Sequence, residues 1–123
     1  MHEFTVTESI VNTAIREAQK HDAKRVKSVF LVIGRLTHLS KDQIRFSYEV
    51  LTKGTILEDS HLAIRIKNPR VSCTKCGYKG PMGKIDNQIT SEWIFSLSCP
   101  RCGEQVEIVG GRECLIKGIR IEV

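Results

Sequence analysis

Two short cysteine knuckles, Cys73-Thr74-Lys75-Cys76-Gly77 and Cys99-Pro100-Arg101-Cys102-Gly103, constrain this chain more than any other feature. Two thiols separated by two residues reach one metal ion from a tight turn. The glycine after each pair permits the positive φ that such a turn needs. The pairs stand 22 residues apart (77–98) and together offer four soft ligands suited to tetrahedral coordination. A closed four-thiolate Zn2+ shell has no open position, so the expected centre is structural, with Cys73, Cys76, Cys99 and Cys102 as its ligands. Such a centre supplies on the order of 10–16 kcal/mol of apparent folding free energy to a segment too short to fold on its own core. Paired knuckles also hold iron in small electron-transfer proteins; the long remainder of this chain, without redox groups, favours zinc. Trp93, Phe95 and Leu97 alternate toward the second knuckle and are read as its small apolar face. The fifth cysteine, Cys114, falls outside both pairs and is expected to be a buried free thiol.

An odd number of cysteines and no secretory leader argue for a reducing compartment, and the expected location is the cytoplasm. At 123 residues the chain has room for one core domain and one small module, and no run of about 18 apolar residues suggests a membrane span. The net charge of +5 raises the question of nucleic acid. Between 70 and 113, however, six Lys/Arg meet five Asp/Glu, and four thiolates around one dication would turn that +1 into −1. The basic residues elsewhere are dispersed, so a solvated basic surface is the better reading and no nucleic-acid partner is expected.

The pattern of apolar residues gives an α/β (α+β) fold: a small three-stranded sheet with two helices, plus the inserted four-cysteine zinc-ribbon module. Thr5 and Glu8 have capping-box spacing, and Val6, Ile10, Val11, Ala14, Ile15 and Ala18 share one helical face, so a first helix is expected from about Val6 to Lys20. Val26–Ile33 is apolar on both parities and reads as a buried central strand ended by Gly34. Ser40 and Gln43 form a second capping box, Leu39 and Ile44 suit a hydrophobic staple, and Gly54 suits the position just past the helix. His61–Lys67 alternates cleanly, as a strand with one wet face does. Leu115, Ile119, Ile121 and Val123 share one parity, interrupted by Lys117, and read as a third strand. Asn68-Pro69 and Gly110-Gly111 bracket the insert. The expected division is 1–69 with 114–123 as one domain and 70–113 as the metal module.

The first three residues, Met1-His2-Glu3, carry a second metal-binding pattern. The terminal amine, the amide nitrogen of His2 and its imidazole can close two fused chelate rings. Nitrogens in one plane suit the tetragonal preference of Ni(II) or Cu(II) rather than tetrahedral zinc. The pattern requires Met1 to be retained, and the bulk of His2 disfavours its removal. His21, His38 and His61 each stand alone. No glycine-rich phosphate loop occurs, and with the cysteines committed to metal no nucleophile–base grouping remains, so no enzyme is expected.

Taken together, the MHE start followed by TESIV, then VFLVIGRL, FSYEVLTKGT, the two knuckles and GRECLIKGIRIEV make the chain similar to the HypA/HybF family of hydrogenase nickel-incorporation proteins, nearly end to end. The resemblance implies a metallochaperone that holds one Ni(II) at Met1, His2 and Glu3 and delivers it to a [NiFe]-hydrogenase large subunit. It implies structural zinc at the four knuckle cysteines, and a nickel-handling GTPase as partner, with a monomer or weak homodimer as the expected state. The gap between the knuckles is longer than in many members. In some long-insert members a histidine of the insert completes the nickel site, but 77–98 contain none, leaving Glu3, its amide or a partner's side chain. The competing reading is a zinc-ribbon adaptor or nucleic-acid-binding protein in which His2 is incidental.

Overall fold

The computed structural model describes residues 3–85 and 94–123. Met1, His2 and Trp93 lie outside that range. Helix α1 spans Glu3–Lys20 and buries Val6, Thr7, Ile10, Val11, Ala14 and Ala18. It starts one turn earlier than its sequence pattern suggests. Thr5 is itself helical and so does not cap. An acidic residue leads the helix instead, where the positive end of the dipole favours it, and Thr7 Oγ1 donates to the Glu3 carbonyl at 2.6 Å.

Strand β1 (Arg25–Gly34) sits in the middle of the main sheet, between β2 (His61–Lys67), which runs parallel to it, and β8 (Cys114–Glu122), which runs antiparallel. A parallel pair needs a crossover, and helix α2 (Lys41–Thr52) provides it after a 3-10 turn at Arg35–Thr37. Ser40 caps α2 by accepting from Gln43 N–H at 3.3 Å, as its sequence position predicts. Gly54, just past the helix, adopts φ +77°. Both helices cover one face of the sheet. The core there joins the α1 stripe to Val26, Val29, Leu31 and Ile33 of β1, Ile44 and Tyr48 of α2, and Leu57 and Leu62.

Strand β8 departs from its sequence pattern. The register runs Phe30↔Gly118 and then Leu31↔Ile116, so Lys117 is an extra, bulged residue. The bulge exchanges the two faces. Ile119, Ile121 and Ile116 pack on the core, whereas Leu115 and Val123 are exposed, contrary to the single-parity reading. Cys114 is exposed rather than buried, because β8 is an edge strand and Cys114 begins it.

Between β2 and β8 the chain builds a second three-stranded antiparallel sheet, β4-β3-β7, from Arg70–Ser72 (β3), Lys79–Pro81 (β4) and Glu107–Gly110 (β7). A two-stranded ribbon pairs Lys84–Ile85 (β5) with Ile94–Phe95 (β6). Val71 and Met82 are buried, whereas Leu97, expected in the apolar face, is exposed.

The two sheets meet at a tight joint. Gly34 N–H donates to the Glu113 carbonyl at 2.6 Å and Leu36 N–H to the Gly111 carbonyl at 2.8 Å. A Cβ on Gly34 would lie 2.1 Å from the Gly111 oxygen, and Gly111 itself, at φ +109°, sits against Pro69. The Glu113 carboxylate accepts from Gly111 N–H and pairs with Lys67 Nζ at 2.8 Å. The Lys67 partner holds its carboxyl at about 2, so it is ionised at neutral pH. Because backbone meets backbone at Gly34, Gly34→Ala should destabilise the fold by about 3 kcal/mol or more. Denaturant unfolding checks this. A wild-type midpoint would contradict the close approach.

Candidate metal centres

The two knuckles adopt the same local geometry from different sequences. In the first, Cys73 N–H donates to the Tyr78 carbonyl at 2.8 Å and Gly77 N–H to the Cys73 carbonyl at 3.0 Å. In the second, Cys99 N–H donates to the Glu104 carbonyl at 2.6 Å and Gly103 N–H to the Cys99 carbonyl at 2.9 Å. Gly77 and Gly103 stand at φ +80° and +81°, a conformation glycine adopts without strain, and no neighbour crowds either one. The guanidinium of Arg101, in the second knuckle, lies 5.6 Å from the centre of the Tyr78 ring beside the first, a cation–π contact across the site.

This folding brings the sulfurs of Cys73, Cys76, Cys99 and Cys102 within 4.8 Å of one another. Cys73 Sγ lies 3.6 Å from Cys102 Sγ, and Cys76 Sγ lies 3.6 Å from Cys99 Sγ. A tetrahedral ion with metal–sulfur bonds of about 2.3 Å separates its ligands by about 3.8 Å, so the four sulfurs fit such an ion. Cys73 and Cys99 are buried and Cys102 is exposed. Among the described residues neither Cys114 nor a histidine joins the group: His21, His38 and His61 are all exposed, with His38 at φ +57° beyond the 3-10 turn.

The electrostatics fit a cation as well. Burial resists ionisation of Cys99, but the backbone N–H groups of Cys102 and Arg101, with the thiols of Cys76 and Cys102, outweigh it and bring Cys99 down to about 6. Arg101 N–H donates to its sulfur at 3.3 Å. Cys73 is also lowered, chiefly by the backbone N–H of Cys76. Cys102 goes the other way. A backbone hydrogen bond at Glu104 favours its thiolate, yet burial and the other three sulfurs push it up to about 12. Four thiolates this close repel one another, and a divalent cation among them removes the repulsion.

The second candidate triad is only partly in view. Of Met1, His2 and Glu3, Glu3 is described, and its carboxylate Oε1 accepts from Ser40 N–H at 3.2 Å. Half of this contact is legible in the sequence, because a capping box at Ser40 requires an acceptor for that N–H. The pattern named Gln43, three residues on, and missed an acceptor 37 positions away.

Metal uptake by the four thiols should therefore be coupled to proton release. At pH 7 Cys102 still carries its proton, so titrating metal-free protein with Zn2+ should expel protons into a weak buffer. Thiolates bind and thiols do not, so affinity falls as pH drops, most steeply once Cys99 protonates near about 6. Zinc uptake without proton release, or stoichiometric binding retained in Cys99→Ser, would contradict this arrangement.

Comparison with known proteins places this architecture. The family described as "Hydrogenase/urease nickel incorporation, metallochaperone, hypA" matches residues 1–121. The hydrogenase maturation factor HypA of Methanosarcina mazei is 37% identical over 129 residues, covering 99% of this chain and 93% of its own length. That of Methanothermobacter thermautotrophicus is 37% identical over 123 residues, with 99% and 98% covered. The solution structure of the nickel metallochaperone HypA from Helicobacter pylori superposes with a TM-score of 0.66 at 19% identity, covering all of this chain and 99% of that one. A second HypA solution structure gives 0.71 at 20% identity, with 98% and 96% covered, so the fold is shared despite the low identity. Among the described residues no helix is long and apolar enough to cross a membrane. With the match running from the first residue through both knuckles to the last strand, the chain belongs to the HypA family of nickel-incorporation metallochaperones, which serve hydrogenase maturation and are not enzymes.

Proposed function

We propose that this chain carries one Ni(II) on Met1, His2 and Glu3 and delivers it to a [NiFe]-hydrogenase large subunit, while Cys73, Cys76, Cys99 and Cys102 hold a structural Zn2+. The observation that carries the reading is the separation of donor sets. The family match includes residue 1, whereas the four thiols already make a complete centre of their own. A full thiolate shell has no vacancy for cargo, so nickel is left to the nitrogen donors of the terminus. The division of labour follows the division of the chain: 1–69 with 114–123 carry the cargo, and 70–113 form the zinc module. A nickel-handling GTPase is the proposed partner, which fits a chain with no phosphate-binding loop of its own. We place the protein in the cytoplasm as a monomer or weak homodimer.

The chemistry suits release as well as capture. Nickel on a chain terminus is open on one side, so an incoming thiolate displaces the nitrogen donors one at a time. An imidazole binds metal only without its proton, so affinity should fall as pH drops through the imidazole range, about 6–7. The decisive comparison is calorimetric titration of untagged, zinc-loaded protein with Ni(II), beside His2→Ala. The wild type should bind one equivalent and the variant none, with zinc retained in both. Equal binding by the two proteins would overturn the terminal site and leave the nickel donors to be sought elsewhere in the chain.

A further inference from the structure

Glu3 belongs to the terminal triad, yet both its backbone and its side chain are engaged by the protein. Its carbonyl accepts from Oγ1 of Thr7, a residue with no exposed surface. Its carboxylate crosses to the other helix, where Oε1 accepts from the Ser40 N–H at 3.2 Å. Ser40 occupies a particular position: it is the N-cap of α2, in extended conformation at φ −80° and ψ 118°. The serine hydroxyl serves the N–H of Gln43, and Glu3 serves the N–H of the serine. The carboxylate therefore completes the cap from outside the helix, and its charge meets the positive ends of α1 and α2 together.

We propose that Glu3 is a positioning residue of the nickel arm: its carboxylate, docked on the Ser40 amide, holds the first residue of α1 in place and does not ligate the metal. This deepens the reading of a terminal nickel site and rests on it. To reach the ion, the carboxylate would have to abandon the Ser40 N–H, leaving a part-buried donor unpaired beside a helix terminus. Held where it is, it anchors the residue next to His2 before metal arrives. The nickel donors are then the terminal amine, backbone nitrogen and the His2 imidazole, and any further donor comes from outside the Glu3 side chain.

A set of variants separates positioning from ligation, with nickel affinity and the visible absorption band of bound nickel as readouts on zinc-loaded protein. Glu3→Gln keeps an oxygen acceptor for Ser40 but loses the anionic ligand. It should bind nickel within about threefold of wild type with an unchanged band, because an amide oxygen still makes the contact. Glu3→Ala should weaken affinity by about 10–100-fold, the loss typical when a group that orients a metal ligand is removed. Ser40→Pro removes the N–H and should match Glu3→Ala. Ser40→Ala keeps the N–H, loses only the hydroxyl cap, and should lower thermal stability without weakening nickel binding. If Ser40→Pro fails to fold, the Glu3→Gln and Glu3→Ala pair still decides. Equal loss in those two would overturn the proposal by making the carboxylate a ligand. Wild-type affinity in Glu3→Ala, with only its melting temperature lowered, would overturn it by making the contact purely structural. Indifference of nickel binding to His2→Ala would remove the terminal site itself, and the proposal with it, whereas loss in His2→Ala alone would leave the site standing and sink only the role given to Glu3.

Discussion

Mutual repulsion among four sulfurs is the constraint on which the second half of this molecule turns. They gather within 4.8 Å of one another, at pair separations of 3.6 Å, and in that setting the Cys102 thiol rises to about 12. A divalent cation among them would remove the conflict. Among the described residues of this module, Val71 in β3 and Met82 just past β4 are buried apolar side chains, while Leu97 and Val109 face solvent. The two knuckles repeat one hydrogen-bond pattern around the sulfurs, and each ends in a glycine at positive φ. Their geometry is thus set largely by backbone bonds, and a metal ion would complete it, as in other modules too small for a core.

The first half rests on burial. Two helices share one face of a three-stranded sheet, and Leu31, Ile33, Ile44 and Leu57 have essentially no exposed surface. Such a core is worth roughly 1.5–3 kcal/mol for each large apolar side chain that it hides. The halves meet through direct backbone contacts. Gly34, Pro69 and Gly111 press backbone against backbone, and Glu113 ties Gly111 to Lys67. The Leu36 N–H bond to Gly111 fixes the 3-10 turn at Arg35–Thr37. Three residues later comes Ser40, whose N–H holds Glu3. Glu3, at the start of α1, and the exit from the metal module therefore meet the same short stretch, Gly34 to Ser40.

Much of this was legible in the sequence where the pattern is local. His61–Lys67 alternates cleanly and is a strand with those bounds. Ser40 caps α2, and Gly54 follows it in the left-handed conformation. The paired knuckles announced their cluster because their spacing has few other uses. Strand β8 was read half correctly. Lys117 was visible as an interruption, but a break in parity does not say whether a residue bulges or merely faces water. Only pairing with β1 shows that the bulge turns Ile116 inward and Leu115 outward. Cys114 was misjudged for the same reason, since sequence does not reveal which strand ends at an open edge. The contacts that were least legible are the ones that connect distant segments: Gly34 on Gly111, and Glu3 on Ser40. No periodicity links residues 37 or 77 positions apart, and the glycines read as boundaries before they could be read as a joint.

If the soft tetrahedral thiolate centre and the nitrogen-rich terminus hold different metals, X-ray absorption at the zinc and nickel edges of one doubly loaded sample will separate them. The zinc edge should show four sulfurs at about 2.3 Å, and the nickel edge nitrogen and oxygen donors alone. Sulfur in the nickel shell would mean that the cargo enters the knuckles, and the separation of the two sites would be wrong.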